Sequence, residues 1–265
     1  MQTPFDDVIQ AIAAKRYHNH RTPEHSNAVG EGIFRDLLQR CEALRADVEK
    51  EVVEHWLNVA APGGRGRTLD LFVGEPDPES GKPDIRRLRI GIENKSVITA
   101  HRNRTSRYDD LSETLSAIFA ERKEAIMVAT ILVGIAEKVL NVPDRLKPMA
   151  PDFEEAVLPR LSTGDQALWA DYQFAVSVNS TADPAKTVDR FRDLPKRNPS
   201  FTHVLGYDYI EIVPVLIDNV NPPKLARENS LGIDIDSDYE TMLNTVCNAY
   251  VARWHLDERL RTSTR

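Results

Sequence analysis

Two short strand-like segments constrain the fold of this chain more than any other feature. The first runs from Thr68 to Val73 and contains one charged residue, Asp70. The second runs from Ile85 to Ile92 and ends directly before Glu93. Residues 75–82 between them are rich in Pro, Gly, Asp and Ser, a composition typical of turns. The pattern predicts a β-hairpin whose neighbouring strands both carry an acidic group.

Helical periodicity flanks this hairpin on both sides. Helices are predicted at about 5–12, 22–44, 48–57, 108–122, 153–158, 185–192 and 239–260, and further strands at 125–136, 172–178 and 207–217. Gly30 and Gly32 weaken the second helix, so we expect close approach of another backbone there. The mixture predicts an α/β fold in a single domain spanning 1–265, with a central mixed sheet flanked by helices. Its core covers about 22–220, and a C-terminal helical extension covers about 235–262.

The composition is that of an ordinary soluble globular protein, with 41% hydrophobic and 28% charged residues. The opening MQTPFDDVIQ does not resemble a signal peptide, and the longest apolar run, Ile126 to Ala136, is shorter than the roughly 20 residues that span a bilayer. Cys41 and Cys247 are far apart in sequence and do not suggest a disulfide framework. We therefore expect a cytoplasmic protein without a membrane partner.

Charged groups end the second strand, in the run Ile90-Gly91-Ile92-Glu93-Asn94-Lys95. Strand side chains alternate, so Glu93 and Lys95 are expected on one face, with the isoleucines on the other. Pairing across the hairpin would bring Asp70 beside Glu93. Two carboxylates at close range repel each other, and a bound Mg²⁺ relieves that repulsion because it prefers oxygen ligands.

An Asp on one strand followed by an acid-x-Lys triplet on the next resembles the restriction-endonuclease-like, or PD-(D/E)xK, nucleases. Asp70, Glu93 and Lys95 match the motif in order, and Glu31 matches the Glu that many members carry on a preceding helix. The resemblance covers about Thr22 to Val133. The chain departs from the pattern in having Leu69 rather than Pro before the Asp, and 22 residues between Asp70 and Glu93.

The resemblance implies a restriction-endonuclease-like core and a role for each matching residue. Asp70, Glu93 and the backbone carbonyl of Asn94 would bind Mg²⁺, for which Mn²⁺ could substitute, and Glu31 is a further candidate ligand. The metal would polarise the scissile phosphate and lower the pKa of a bound water. Lys95 would orient that water and stabilise charge on the phosphate. Asp70, Glu93, Lys95 and Glu31 are thus the candidate catalytic residues.

Basic residues surround this motif although the net charge of the chain is −7. Residues 61–107 contain ten basic and six acidic residues, so this segment carries +4 and the remainder −11. Binding follows the local field, so an acidic protein can still bind DNA. The predicted DNA contacts lie in the loops before and after the hairpin: Arg65, Arg67, His101, Arg102, Arg104 and Arg107.

The favoured function is a magnesium-dependent type II restriction endonuclease that cuts double-stranded DNA as a homodimer. A non-specific defence or repair nuclease is one alternative. A non-catalytic DNA- or protein-binding subunit on the same fold is another, since an acid-x-Lys triplet on a strand also occurs as a solvated salt bridge. Without a phosphate-binding glycine loop, no nucleotide cofactor is expected.

Overall fold

The computed structural model describes residues 2–14, 23–62, 67–141, 153–198 and 201–255. At its centre is a mixed six-stranded sheet with the order β1-β2-β3-β4-β7-β8, and β5 and β6 form a separate antiparallel pair. The strands are β1 (Glu54–Ala60), β2 (Thr68–Pro76), β3 (Pro83–Val97), β4 (Ile126–Gly134), β5 (Lys138–Leu140), β6 (Val176–Val178), β7 (Tyr209–Leu216) and β8 (Lys224–Leu225). The expected α/β class with a mixed central sheet is confirmed.

Helices surround the sheet. They are α1 (Pro4–Ala14), α2 (Pro23–Arg40), α3 (Glu42–Glu49), α4 (Arg104–Glu121), α5 (Leu158–Ser162), α6 (Gln166–Asp171), α7 (Asp183–Arg192) and α8 (Ile235–Trp254). No helix among the described residues is long and apolar enough to cross a membrane. The C-terminal helix, expected as an extension, packs against β7, α2 and α3 and buries Tyr239, Met242 and Tyr250 in the main core.

The predicted hairpin is the antiparallel pair of β2 and β3, in which Leu71 lies opposite Ile92. Strand β3 then continues five residues beyond Ile92 and pairs in parallel with β4 through Val97 and Val133. β4 in turn pairs in parallel with β7. Strand β4 is almost wholly apolar, as expected for a strand that is buried on both faces in the middle of a sheet.

Helices α2 and α4 cover opposite faces of the sheet. Asn94 and Glu93 are consecutive on β3 and therefore point to opposite faces. The Asn94 side chain contacts α2, and Glu93 contacts Thr114 of α4. α2 lies close to β2: a Cβ added at Gly30 would lie 3.6 Å from the carbonyl oxygen of Asp70 and 3.4 Å from the Cβ of Leu71. The expected close approach at Gly30 is confirmed.

Three sequence-based expectations are wrong in whole or in part. The helix expected at 48–57 is instead the end of α3 and strand β1, separated by Glu51, whose φ of 57° breaks the helix. The strand expected at 172–178 is a 3-10 turn over Gln173–Ala175 followed by the three residues of β6. The basic segment 101–107 is not an open loop but a 3-10 turn at His101–Asn103 and the first turn of α4.

The two cysteines, distant in sequence, come close together in the fold. Cys41 lies between α2 and α3, and its Sγ is 3.9 Å from the carbonyl oxygen of Cys247 on α8. Both are free thiols. The neighbouring Cys247 and burial raise the pKa of Cys41 far above its ordinary value, which favours the protonated thiol over the nucleophilic thiolate.

Candidate active site

The candidate site lies where β2 and β3 stop pairing. Their register ends at Leu71 and Ile92, after which β2 pairs only with β1 and β3 only with β4. Beyond this point the Asp70 side chain, rather than the β2 backbone, bonds to β3. Its Oδ2 accepts a hydrogen bond of 2.6 Å from the backbone N–H of Asn94. Its Oδ1 accepts one from the Ser26 hydroxyl on α2. Asp70 is thus fixed from two elements.

Glu93 is almost completely buried, with 1% of its surface exposed. Its Oε1 lies 2.6 Å from the Lys95 ammonium and 3.4 Å from the Thr114 hydroxyl. Its Oε2 is buried and has no hydrogen-bond partner among the described residues. Burial raises the pKa of Glu93, the Lys95 ammonium opposes that change, and the nearby negative charge of Asp70 adds to it. The Glu93 carboxyl group could therefore accept one further partner at Oε2.

Asn94 is fixed through both its backbone and its side chain. The side-chain Nδ2 donates to the carbonyl oxygen of Ser26 at 3.1 Å, and the Oδ1 accepts from the Thr130 hydroxyl of β4. Ser26, Asp70 and Asn94 therefore form a closed set of hydrogen bonds that joins α2, β2 and β3, with Thr130 adding β4.

A cleft of about 330 Å³ opens beside these residues. Asp70, Asn94 and Lys95 line it from the sheet, and Arg107 lines it from α4. The α2 side contributes neutral polar or titratable groups, among them Ser26 and the buried His25. The cleft thus brings an acid and two cations to one opening, which suits a ligand that carries phosphate.

The residues present fit a divalent cation of the magnesium type. Among the described residues, no three His, Cys, Asp or Glu side chains come together as a metal cluster. Mg²⁺ does not need one, because proteins usually bind it through one or two carboxylates with water and substrate phosphates completing the shell. Asp70 and Oε2 of Glu93, which has no partner among the described residues, would supply the carboxylates. Lys95 neutralises only one of the two negative charges.

Glu31 is not brought to this cleft. Its exposed carboxylate lies 3.2 Å from His55 Nε2 on β1. Glu31 lies five positions after Ser26 on the helix, which corresponds to a rotation of about 140° around the helix axis. Ser26 occupies the side of α2 that faces Asp70, so Glu31 points elsewhere for a geometric reason.

The arginines predicted to contact DNA differ in their surroundings. Arg107 lines the cleft and pairs with Asp110 at 3.1 Å, and Arg102 is exposed. Arg67 pairs with Glu113 of α4. Arg104 donates to the carbonyl oxygen of His101 at 3.2 Å, with Asp183 3.8 Å away. Arg65 lies outside the described residues.

His101 requires a correction. We expected it to contact DNA, but only 1% of its surface is exposed. Its Nδ1 lies 2.7 Å from the Thr187 hydroxyl of α7 and its Nε2 lies 2.9 Å from the carbonyl oxygen of Gly134. Burial lowers the pKa of His101, so the ring is neutral at pH 7. It anchors the turn before α4 and does not face solvent.

Sequence reasoning missed Ser26, Thr130 and His25. A hydroxyl at the start of a helix or in an apolar strand has no local pattern that distinguishes it from a structural one. Each contact becomes visible only when separate elements are brought together.

Comparison with known proteins adds no relative. No protein-family model matches the chain, and neither a curated protein nor a solved structure matches it.

Proposed function

We propose that the protein is a metal-dependent nuclease that hydrolyses phosphodiester bonds of double-stranded DNA with Mg²⁺, on a restriction-endonuclease-like core. The observation that carries the proposal is the buried Glu93 carboxylate. It has a lysine on one oxygen, no partner among the described residues on the other, and Asp70 nearby. Lys95 and Asp70 line an open cleft. A buried carboxyl group with one unsatisfied oxygen is costly in a purely structural role, which favours a ligand.

The roles of the residues follow from their positions. Asp70, Glu93 and the Asn94 backbone carbonyl would hold the cation, while Ser26 and the Asn94 N–H keep the Asp70 carboxylate oriented. Bound Mg²⁺ supplies positive charge that polarises the scissile phosphate and makes water a better nucleophile.

Lys95 is fixed on Glu93 by one hydrogen bond, which leaves ammonium protons for the attacking water and the phosphate oxygens. Water attacks the phosphorus, the P–O bond to one sugar oxygen breaks, and that oxygen takes up a proton. Arg107, which lines the cleft beside Lys95, provides the phosphate contact that positions the strand.

Double-stranded DNA is the proposed substrate because the cations are concentrated in one segment. Residues 61–107 carry +4 within a chain of −7. Of these cations, Lys95 and Arg107 line the cleft, and Arg102 is exposed five residues before Arg107. Site-specific cutting by a homodimer, as in a type II restriction endonuclease, is part of the proposal. Two copies related by two-fold symmetry would cut both strands of a palindrome.

The test is incubation of purified protein with plasmid DNA in Mg²⁺ or in EDTA. Cleavage is expected only with the metal. Lys95→Ala and Asp70→Asn should each lower its rate by about 100-fold or more, since removing one group that stabilises transition-state charge costs 10²–10³ in other enzymes. Lys138→Ala is the matched control, because Lys138 is an exposed strand lysine outside the cleft.

The outcomes separate the candidate functions. Discrete fragments indicate site-specific cutting, and a smear indicates non-specific cutting. Cleavage that survives Lys95→Ala or Asp70→Asn contradicts the assignment of the site. DNA binding that weakens with salt, without cleavage by the wild type, supports the alternative of a non-catalytic binding subunit.

A further inference from the structure

Two hydroxyl groups outside the proposed metal ligands hold those ligands in place. Ser26 on α2 donates to Asp70, and Thr130 on β4 donates to the side chain of Asn94. Neither residue belongs to the acid-x-Lys pattern. Thr130 is buried, with 3% of its surface exposed, and lies in register with Asn94 on the neighbouring parallel strand.

The need for these contacts follows from the sheet. Where β2 and β3 separate, the backbone of β3 has no β2 partner to fix it on that side beyond Ile92. The Asn94 N–H instead bonds to a side-chain carboxylate. A carboxylate is free to rotate unless its oxygens are held, and a hydroxyl donor on the second oxygen removes that freedom. Asn94 is held in the same way on its side-chain amide.

We propose that Ser26 and Thr130 are positioning residues of the metal centre, which orient Asp70 and Asn94 for a divalent cation without contacting it. This inference rests on the proposed function, because it concerns the same site. Groups that orient metal ligands in this way commonly change metal affinity by 10- to 100-fold when removed. The hydrogen bonds leave further lone pairs on each Asp70 oxygen for the cation.

The test measures cation binding separately from cleavage. Mn²⁺ is titrated into the full chain and the free ion is followed by electron paramagnetic resonance. Thr130→Val keeps the shape of the side chain and removes the hydroxyl, and it should weaken Mn²⁺ binding about 10- to 100-fold. Thr130→Ser restores the hydroxyl and should recover most of the affinity. Ser26→Ala should weaken Mn²⁺ binding to a similar extent.

Thr187→Val is the matched control. Thr187 is also a buried threonine whose hydroxyl is hydrogen-bonded, but its partner is His101, outside the cleft. Both valine variants should lower the melting temperature by similar amounts, whereas only Thr130→Val should change Mn²⁺ affinity. A purely structural role for Thr130 would change the melting temperature alone.

The two proposals fail in different ways. If the wild type binds Mn²⁺ and cleaves DNA, and Thr130→Val and Ser26→Ala bind Mn²⁺ as tightly as the wild type, the positioning roles are refuted and the nuclease proposal stands. If the wild type does not bind Mn²⁺, or if Asp70→Asn binds it unchanged, the metal centre and both positioning roles are refuted together.

Discussion

Replacement of Glu211 by Gln should change how the stability of the protein depends on pH. Glu211 lies on β7 in register with Thr130, is fully buried, and has no hydrogen-bond partner for either carboxylate oxygen among the described residues. Burial, with a contribution from the negative charge of Asp238, raises the pKa of Glu211 from 4.5 to about 9. At neutral pH this side chain is therefore a neutral carboxylic acid.

The size of the effect follows from proton linkage. The unfolded chain loses the Glu211 proton near pH 4.5, whereas the folded chain keeps it up to about pH 9. The stability associated with this proton is fully present below pH 4.5 and is lost as the pH rises, by about 1.4 kcal/mol per pH unit. At pH 7 the loss amounts to roughly 3 kcal/mol, a large part of the 5–15 kcal/mol typical of a folded domain.

Urea unfolding at several pH values between 5 and 9 measures this effect. Gln cannot ionise, so the free energy of unfolding of Glu211→Gln should rise relative to the wild type by about 1.4 kcal/mol for each pH unit. Other titrating groups are common to both proteins and cancel in the difference. Glu228→Gln, at an exposed position, is the control and should show no such trend. Parallel pH profiles for Glu211→Gln and the wild type would refute the reasoning.

Two further comparisons each set a buried polar group against a more exposed one. His101→Ala should lower the free energy of unfolding by about 2 kcal/mol because it removes two buried hydrogen bonds, yet leave the salt dependence of DNA binding unchanged. Arg107→Ala should reduce by about 1 the slope of log K for DNA binding against log KCl concentration, measured by fluorescence anisotropy. Equal slopes for His101→Ala and Arg107→Ala would contradict the proposed DNA contact of Arg107. Asp47→Ala should cost about 2–3 kcal/mol in urea unfolding, because it removes the buried carboxylate that accepts from Arg89 at 2.6 Å, while Glu75 still pairs with Arg89. Asp84→Ala, in a surface pair, should cost less than about 1 kcal/mol, and similar losses for both would argue against the buried pair.

The sequence was sufficient to predict the centre of the sheet. Strand β4 is apolar except for Thr130, and the turn composition between β2 and β3 marks the hairpin. Strand β1 was missed because it is a half-exposed edge strand in which Trp56, Leu57 and Val59 do not alternate cleanly with polar residues. Their spacing fits a helix as well as a strand, and only pairing with β2 decides between them.

The candidate site was predictable to the extent that it is local. Glu93 and Lys95 are two residues apart on one strand, so alternation alone predicts their contact. The residues that orient the site are 44 and 36 positions away from their partners, as in Ser26 with Asp70 and Thr130 with Asn94. Such contacts depend on helix placement and strand order, which local periodicity does not encode. The burial of His101 was unpredictable for the same reason, since α7 covers it.

The glycine at position 30 sets the distance between α2 and the sheet. A side chain there would meet Leu57 at 3.3 Å and Leu71 at 3.4 Å, so any larger residue must either compress the edge of the sheet or move the helix outward. Ser26 lies one helical turn earlier on the same helix and reaches Asp70 only at the present spacing. The distance between α2 and the sheet therefore determines the orientation of the Asp70 carboxylate, although Gly30 has no side chain that could contact it.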